Sequence, residues 1–432
     1  MLLLNAPFGK GLQGKLEEYF GKSGDPAEVR ETVAGVLADI EARGDSAVAE
    51  YTKKFDKADV PASELRVAPE ELAKAAQGLT EVQRAAIEES ITNVREFHQK
   101  TIPESWSGTN PHGATVGEKY YPIRRVGCYV PGGSVPLVST VVMSCAIGKL
   151  AGVKEMAATT PPGADGSVAP ELLATFHLCG VDEVYKVGGV QAIGALAYGT
   201  DTIPAVDKVF GPGNAYVMEA KRQVFGKVGV DLLPGPSEAM VIADETADPR
   251  FVAADLLAQA EHGSGKERIY LAIRSEGQLA DIESAINEQA EKLTHGEAIA
   301  KILEKNFVVL VCPDWSDAIE AANTIAPEHM ELHVEDAQIE PLTEQITTAG
   351  AILQGALSPT VLGDFTAGPS HTLPTGFSGR AFSGLRLTDF LRRSSIVRYD
   401  TESLQKARAT VGQFSTMEQL DAHGNSLEIR FS

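Results

Sequence analysis

The sequence predicts an α/β protein: a helical amino-terminal region, two doubly wound domains with parallel sheets, and a small carboxy-terminal lobe. Two observations lead to this fold class. From about residue 121, short apolar runs alternate with helical stretches, as in βαβ units, and a second series of the same kind follows Pro236. The length of 432 residues is sufficient for two or three domains with separate hydrophobic cores.

The first hundred residues have the periodicity of amphipathic helices. Segments 26–55 and 69–100 combine an apolar stripe with charged positions, and Pro26 suits the start of a helix. Polar residues interrupt the pattern between Ser105 and Gly117. We interpret the whole region as a helical scaffold.

The two α/β series account for most of the remaining chain. The predicted strands are 124–130, 153–160, 182–189, 207–213 and 228–235 in the first series, and 239–244, 268–273, 307–313, 330–335 and 351–355 in the second. Predicted helices separate the strands, among them 249–262 and a long polar helix that ends near Asn306. The last fifty residues contain a helix and the strand-like segment 426–431, which together indicate a terminal lobe.

Composition and charge argue against several classes of protein. With 59 acidic and 38 basic residues the formal net charge is −21, and a surface of that sign repels nucleic-acid phosphates and anionic lipids. No run reaches the roughly 18 apolar residues of a membrane span, and the amino terminus does not have the pattern of a signal peptide. The four cysteines are too scattered for a disulfide framework, so we expect a cytoplasmic protein. The charge and the lack of a long apolar run lead us to expect no nucleic-acid or membrane partners.

Glycine-rich turns follow three predicted strands of the first series. They are Pro131-Gly132-Gly133, Gly188-Gly189-Val190-Gln191 and Gly211-Pro212-Gly213-Asn214. Glycine lets a backbone approach a phosphate at a helix amino terminus, but tight βα turns also need glycine for steric reasons, and none of the three is a GxGxxG motif. Three such turns at the carboxyl ends of strands in one domain favour a nucleotide or cofactor crevice.

Four residues are candidate metal ligands. Gln259 and His262 lie on one face of a predicted helix, where they could present an oxygen and an imidazole nitrogen to one ion, although a histidine at a helix end is more often a capping residue. Asp364 lies in a Gly- and Pro-rich loop and His423 lies near the terminus. Such a mixed nitrogen and oxygen set suits Zn²⁺, but spacing alone does not prove that the four side chains converge.

Glu328 and His329 are adjacent in the segment APEHMELHV, directly before a predicted strand. Neighbours on a regular strand point to opposite faces, whereas at an irregular turn both can reach one cleft. A neutral imidazole can take a proton from an alcohol near pH 7, and a carboxylate beside it can activate water. An isolated Glu-His pair is more often a turn or helix-end pair without a catalytic role, so the two residues alone leave both interpretations open.

Eight segments taken together resemble the histidinol dehydrogenase family. In chain order they are VGCYVPGG, VGGVQAIGALAYGT, FGPGNAYV, DLLPGPSE followed by LLAQAEHG, APEHMEL, GDFTAGPSHTLPTG and LDAHGNSLEIR. Their order and spacing match the family from about residue 121 to the end, whereas the first 120 residues are similar only in helical character and length. The combination is far more specific than any single motif.

The resemblance implies two incomplete Rossmann-like domains. Residues 1–25 would form an amino-terminal helical segment, and residues 26–126 together with 238–385 a discontinuous first domain. Residues 127–237 would form a second, NAD-binding domain. Residues 386–432 would form a lobe that contributes to the active site of the neighbouring subunit in a homodimer.

The resemblance also implies an activity. It is the oxidation of L-histidinol to L-histidine through L-histidinal, with two NAD⁺ reduced in succession, in histidine biosynthesis. The implied ligands of one Zn²⁺ per subunit, which would hold the amino and imidazole nitrogens of the substrate, are Gln259, His262, Asp364 and His423.

The resemblance assigns further roles residue by residue. His329 would remove the alcohol proton while hydride leaves for NAD⁺, and Glu328 would activate the water that attacks the aldehyde. The implied substrate contacts, besides the zinc ligands and His329, are Ser237, His371 and Glu418. The implied NAD contacts, at the three glycine-rich turns, are Tyr129, Gln191 and Asn214.

Two positions depart from the commonest pattern of the family. Phe365 stands where many members have tyrosine, and Ser370 where many have asparagine. Both border the substrate loop and leave open a relative that oxidises another small alcohol, such as a sulfonated propanediol. Such a relative should have an added cation near Ser237 or His371, for which Arg380 is the candidate. A non-catalytic zinc or nucleotide sensor on this fold should have lost the proton-transfer pair, which is present.

Overall fold

The computed structural model describes residues 1–21, 27–132, 136–262 and 265–432. Pro26 and Gly133, which the sequence analysis placed at a helix start and in a glycine-rich turn, lie outside the described residues. The strands, numbered β1 to β14 in chain order, are Leu2–Asn5, Trp106–Thr109, Thr115–Pro122, Arg125–Tyr129, Glu155–Thr160, Glu183–Lys186, Lys208–Phe210, Gly229–Val230, Glu238–Ala243, Arg268–Ile273, Phe307–Val311, His329–His333, Ala351–Gln354 and Leu391–Arg398.

Helices connect and cover the strands. Numbered α1 to α18 in chain order, they are Leu12–Phe20, Ala27–Arg43, Asp45–Tyr51, Pro69–Gly78, Glu81–Gln99, Val138–Val141, Ile147–Leu150, Pro170–Leu178, Gly189–Tyr198, Ala215–Val224, Pro249–Ala260, Leu279–Ala290, Gly296–Asn306, Trp315–Ile325, Asp336–Gln345, Thr360–Phe365, Thr401–Glu418 and Asp421–Glu428. A π-helical segment, Thr52–Asp56, extends α3, and another, Val142–Ala146, joins α6 to α7. In the described ranges, none of the helices is both long enough and apolar enough to cross a membrane.

The two large sheets are parallel and share one internal strand order. The five-stranded sheet has the order β6-β5-β4-β7-β8, and the six-stranded sheet has the order β1-β11-β10-β9-β12-β13. With the edge strand β1 set aside, each sheet therefore has its own strands in the order 3-2-1-4-5, the first five positions of the doubly wound order. The predicted α/β class is confirmed.

Helices bury an apolar core on each face of both sheets, as parallel sheets require. On the five-stranded sheet, one core contains α2, α3, α9 and α10, and the other contains α4, α5 and α8. On the six-stranded sheet, one core contains α1, α14 and α15, and the other contains α11, α12 and α13.

This packing differs from the predicted grouping of residues 26–126 with 238–385. Helices α2 to α5 bury their apolar residues with the five-stranded sheet, not with the six-stranded one. One reason is the shape of α9. A Cβ atom on Gly194 of α9 would lie 2.8 Å from Cδ1 of Ile40 on α2, so the glycine leaves the space that α2 needs to pack closely. The domain boundaries themselves stay a prediction.

Three predicted elements differ in the structure. The segment 1–25 is not wholly helical, because Leu2–Asn5 forms the edge strand β1 beside β11; four residues are too few to show a period. The strand-like segment 426–431 is the end of α18 and a 3₁₀ turn, because its alternation has no neighbouring strand and Arg408 pairs with Glu428 across the two terminal helices. The long polar helix ending near Asn306 is divided into α12 and α13.

The third sheet carries the terminal lobe. Strand β14 pairs antiparallel with β3, which pairs antiparallel with β2. The chain then folds back as the helix pair α17 and α18. This lobe is largely exposed, since most residues of β14 and α18 are solvent-accessible.

Candidate active site

The amino ends of β9 and β12 bring the first candidate residues together. His329 is the first residue of β12 and pairs in register with Ala239 of β9. The Oε2 atom of Glu328 accepts a hydrogen bond from the backbone N–H of Glu238 at 2.9 Å, and the hydroxyl of Ser237 also donates to Glu328. Ligands of open α/β sheets usually lie at the carboxyl ends of the strands, so the position at the amino edge could not be read from the strand pattern.

Helix α16 and the loop after it add an aspartate and a histidine. The Oδ1 atom of Asp364 lies 3.9 Å from Nε2 of His329 and 3.6 Å from Nδ1 of His371. On its other side, His329 has Nδ1 4.0 Å from Oε2 of Glu328. The Nε2 atom of His371 lies 3.5 Å from the hydroxyl of Thr140. The side chains of the adjacent Glu328 and His329 therefore lie close to each other, with Asp364 and His371 beside them.

Burial keeps His329 neutral. Removal from water lowers the pKa of His329 to about 4; the charge of Asp364 opposes this effect, and the nearby His262 and His371 reinforce it. The pKa of His371 is lowered for the same first reason, burial. At pH 7 the imidazole of His329 is therefore a free base that can accept a proton.

Burial has the opposite effect on Glu328. It raises the pKa of this carboxyl well above its usual range, and the negative charges of Glu238 and Asp364 add to the rise, whereas the hydrogen bonds from the Glu238 N–H and from Ser237 lower it. A raised pKa makes the ionised form of this carboxyl a stronger base than that of an exposed glutamate.

Gln259 and His262 lie at the end of α11, beside the two histidines. Gln259 is 2% exposed, and within the described part of the chain neither of its amide atoms has a hydrogen-bond partner. The Nδ1 atom of His262 lies 3.2 Å from the carbonyl oxygen of Gln259, which leaves Nε2 of the ring for another partner. An unpartnered buried amide costs about 1–3 kcal/mol, so a metal ion bound by the Gln259 oxygen would offset a real penalty. The residues present fit a metal site of mixed nitrogen and oxygen ligands.

Glu418 and His423 lie elsewhere. Both are exposed on the terminal helices, and their side chains make no hydrogen bond or ion pair with any residue that the structure describes. The candidate residues that the fold of one chain does bring together are Ser237, Gln259, His262, Glu328, His329, Asp364 and His371.

The three predicted cofactor residues lie at the carboxyl edge of the five-stranded sheet. The hydroxyl of Tyr129 accepts a hydrogen bond from the Gly189 N–H at 3.4 Å. Buried Gln191 donates from Nε2 to Oδ2 of Asp56 at 2.9 Å; sequence reasoning missed this aspartate, whose pKa burial raises to about 6. Asn214 caps α10, because its Oδ1 accepts from two backbone N–H groups of the first turn.

The glycines of these turns have steric reasons of their own. Gly211 has a φ of 117°, and a Cβ atom there would lie 2.0 Å from the carbonyl oxygen of Tyr129. A Cβ atom on Gly188 would lie 2.5 Å from Cβ of Pro161. At these two positions packing alone requires glycine, so the glycines do not by themselves indicate a ligand. The prediction of a cofactor crevice then depends on the location of all three turns at the carboxyl edge of one sheet.

Two contacts join the cofactor edge to the candidate active site. The segment that follows β4 carries Thr140, which contacts His371, and Met143, whose carbonyl oxygen accepts a hydrogen bond from Ser370 at 3.2 Å. The carboxyl edge of the five-stranded sheet therefore lies beside the amino edge of the six-stranded sheet. A cofactor bound at the first edge and a substrate bound at the second would be neighbours.

Arg380 does not supply the cation expected for a sulfonated substrate. Its Nη1 atom donates to Oε1 of Gln13 at 3.1 Å and its Nη2 atom donates to the carbonyl oxygen of Thr324. The guanidinium is thus held between α1 and α14.

The two residues that depart from the commonest family pattern differ in exposure. Phe365 is 57% exposed, whereas Ser370 is buried.

A second buried group of titratable side chains, which sequence reasoning missed, lies further along α11 and β12 from the candidate site residues. Asp255, Glu331 and His333 place one potential ligand atom each within 4.8 Å of the others, close enough to hold a metal ion. The sequence analysis gave His333 no role. The available signal was the alternation of His329, Glu331 and His333, which places all three on one face of a strand.

Comparisons with known proteins agree with one another. The family model for histidinol dehydrogenase matches residues 21–431. A histidinol dehydrogenase from Synechococcus sp. is 41% identical over 425 residues, which cover 97% of this chain and 96% of that protein. The one from Ruegeria pomeroyi is 42% identical over 410 residues, which cover 95% and 94%.

Solved structures lead to the same family. The crystal structure of histidinol dehydrogenase from Elizabethkingia anophelis matches with a TM-score of 0.93 at 34% identity, covering 100% of this chain and 98% of that one. An acetylating aldehyde dehydrogenase from Geobacillus thermoglucosidasius, with a TM-score of 0.50 at 13% identity, shares the fold alone. The chain therefore belongs to the histidinol dehydrogenase family and is an oxidoreductase.

Proposed function

We propose that the protein is a zinc-dependent, NAD-linked enzyme that oxidises L-histidinol to L-histidine through L-histidinal, in histidine biosynthesis. The observation that carries the proposal is the buried pair of Glu328 and the neutral His329 beside Asp364. Family membership supports the substrate, because the matched relatives are named for this activity. With Arg380 held elsewhere, nothing favours the sulfonated alternative.

In the alcohol step, His329 accepts the proton of the substrate hydroxyl. The ring is available for this because burial keeps it neutral, and the strand start fixes its position. His371 and Ser237 line the same cleft and orient the substrate by hydrogen bonds. Tyr129, Gln191 and Asn214 would hold NAD⁺, which would supply the hydride acceptor for this step.

In the aldehyde step, Glu328 accepts a proton from the attacking water. Its carboxyl is held by the Glu238 N–H and by Ser237, and its Oε2 atom lies 4.0 Å from Nδ1 of His329. The raised pKa makes the carboxylate a stronger base than an exposed glutamate. A second NAD⁺ would supply the acceptor for the second hydride, which would make the whole reaction a four-electron oxidation.

Gln259, His262 and Asp364 hold one Zn²⁺ together with His423 of the partner subunit. The unpartnered amide of Gln259 supports this assignment most directly. These residues would hold the metal, which would supply a Lewis acid able to bind the amino and imidazole nitrogens of the substrate.

The active enzyme is a homodimer that shares its sites. Glu418 and His423 are exposed and away from the other site residues of their own chain, which a second copy explains. The same lobe exposes large apolar side chains: Val397 is 63% exposed, Phe414 54% and Met417 60%. All four cysteines are free and buried, which supports the expected reducing, cytoplasmic location.

The test of the proposed function is the yield of NADH from limiting L-histidinol. Purified protein should give two NADH per histidinol, lose this activity on chelation and recover it on return of zinc. A yield of one would contradict the four-electron oxidation, and full activity after complete metal removal would contradict the role of zinc. No turnover by zinc-loaded protein would contradict the substrate.

Subunit complementation tests the shared site. His329→Asn and His423→Ala should each be inactive alone. A mixed dimer has one site with both residues intact, so random mixing, in which half of the dimers are mixed, should restore about a quarter of wild-type activity. Activity is measured after the two variants are co-expressed and purified together. If His423 served its own chain, the mixture would stay inactive.

A further inference from the structure

The buried group beyond the active site is a continuous hydrogen-bonded network of four residues. The Nε2 atom of His333 lies 2.9 Å from Oδ2 of Asp255 and 3.3 Å from Oε2 of Glu331. The other oxygen of Glu331 accepts hydrogen bonds from the backbone N–H of Thr360, at 3.2 Å, and from its hydroxyl. The side chains of His333 and Glu331 are 1% exposed and that of Asp255 is 10% exposed. We call these four residues the buried network.

The buried network joins the three elements that carry the active-site residues. One member lies on α11, two lie on β12 and one begins α16. On each of the three elements, an active-site residue lies on the same face as a residue of the buried network. The two are four residues apart on the helices and two residues apart on the strand, which are the spacings that place side chains on one face. The pairs are Asp255 with Gln259, Thr360 with Asp364, and Glu331 with His329.

We propose that the four residues of the buried network are positioning residues, which fix Gln259, Asp364 and His329 relative to one another and so set the zinc affinity of the site. The inference rests on the proposed function, because it refers to the zinc site proposed above. The physical reason is geometric: Nε2 of His333 contacts carboxylates on two elements and Glu331 accepts two hydrogen bonds from a third, and buried polar contacts of this kind tolerate little displacement. Groups behind a metal site commonly orient its ligands in this way.

A second metal site is the competing explanation of the same cluster. Burial lowers the pKa of His333, but its bonds with Asp255 and Glu331 outweigh burial and raise the value to about 9. The ring then carries a proton at neutral pH, whereas a histidine that binds a metal must be neutral, so a metal ion would have to displace that proton. Thr360 already donates twice to Glu331, and Nε2 of His333 lies between Asp255 and Glu331, so both carboxylates have partners without an ion; Nδ1 of His333 is buried and has no partner among the described residues.

The experiment compares two Glu→Gln variants. Glu331→Gln keeps the shape and an acceptor for Thr360 but removes the charge that pairs with His333. The matched control is Glu183→Gln, which breaks a pair with Arg125 at the amino end of β6, in the other large sheet. For each variant the Kd of zinc is measured by competition with a chromophoric chelator, and Tm is measured without zinc.

Glu331→Gln should weaken zinc binding about 10–100-fold. Glu183→Gln should keep the wild-type zinc Kd even where its Tm falls. Thr360→Val removes only one hydroxyl bond, so it should fold even if Glu331→Gln does not, and it should weaken zinc binding about fivefold. Unchanged zinc affinity in both network variants would overturn the inference.

Two further outcomes separate the inference from the proposed function. If the wild type binds no zinc, the proposed function fails, and the network is then judged by hydrogen exchange: Glu331→Gln should speed exchange of the α16 amides, and unchanged exchange would overturn the inference. If the wild type binds two zinc ions per subunit and Glu331→Gln loses one, the cluster is itself a metal site and the positioning role is wrong.

Discussion

Replacement of His329 by asparagine will slow the oxidation of L-histidinol about 10²–10⁴-fold, the usual contribution of a positioned general base. Asparagine is similar in size and keeps a polar end group, but it cannot take the proton of the alcohol. Oxidation of L-histidinal, assayed separately, should be reduced less, because that step begins with attack of water. The measurement is kcat for each half-reaction at saturating NAD⁺.

Zinc content is the control for this variant, since it must equal that of the wild type if the change is confined to proton transfer. Equal kcat values for the alcohol step in variant and wild type would remove His329 from the mechanism. Loss of zinc together with activity would instead assign His329 a role in metal binding.

The pH profile of the alcohol step provides an independent check on the wild type. The neutral form of His329 is the base, and its pKa lies at about 4, below the ordinary value of 6.5. Lowering the pKa of a base extends its active form to lower pH, so the single-turnover rate should stay nearly constant from pH 8 down to about 5. If the rate instead falls with a midpoint near the ordinary pKa of histidine, burial does not lower the pKa of His329.

Replacement of Glu328 by glutamine will impair mainly the second step, again by about 10²–10⁴-fold. Glutamine can still accept the hydrogen bond from the Glu238 N–H, so the fold should be retained. It cannot accept a proton from water, so the aldehyde should be consumed too slowly to be oxidised within the assay. The NADH yield from limiting L-histidinol should therefore fall from two toward one.

Trapping with a carbonyl reagent completes this test. The variant should release L-histidinal that the reagent captures, whereas the wild type should release little. If the NADH yield stays at two and the aldehyde step keeps its wild-type rate, another group activates the water. An equal loss of both half-reactions would mean that Glu328 maintains the position of His329 and does not act on water itself.

Much of the fold could be predicted because its signals are local. Strands such as Phe307–Val311 are continuous apolar runs, as expected for a sheet covered on both faces, and the cap and proline at the start of α11 mark that helix. The four-residue strand β1 was missed because it is too short to show a period, and the segment 426–431 was misassigned because alternation indicates a strand only where a partner strand exists.

The parallel α/β class and the helix that carries Gln259 follow from local patterns, because periodicity, capping and turn chemistry act over a few residues. The adjacency of Glu328 and His329 and the family resemblance could also be read from the amino-acid order. The meeting of Asp364 and His371 with His329 at the amino edge of the sheet, the position of Arg380 and the buried network behind the site could be seen only in the folded chain. These contacts depend on strand register and burial, which join residues far apart in the chain and change their pKa values.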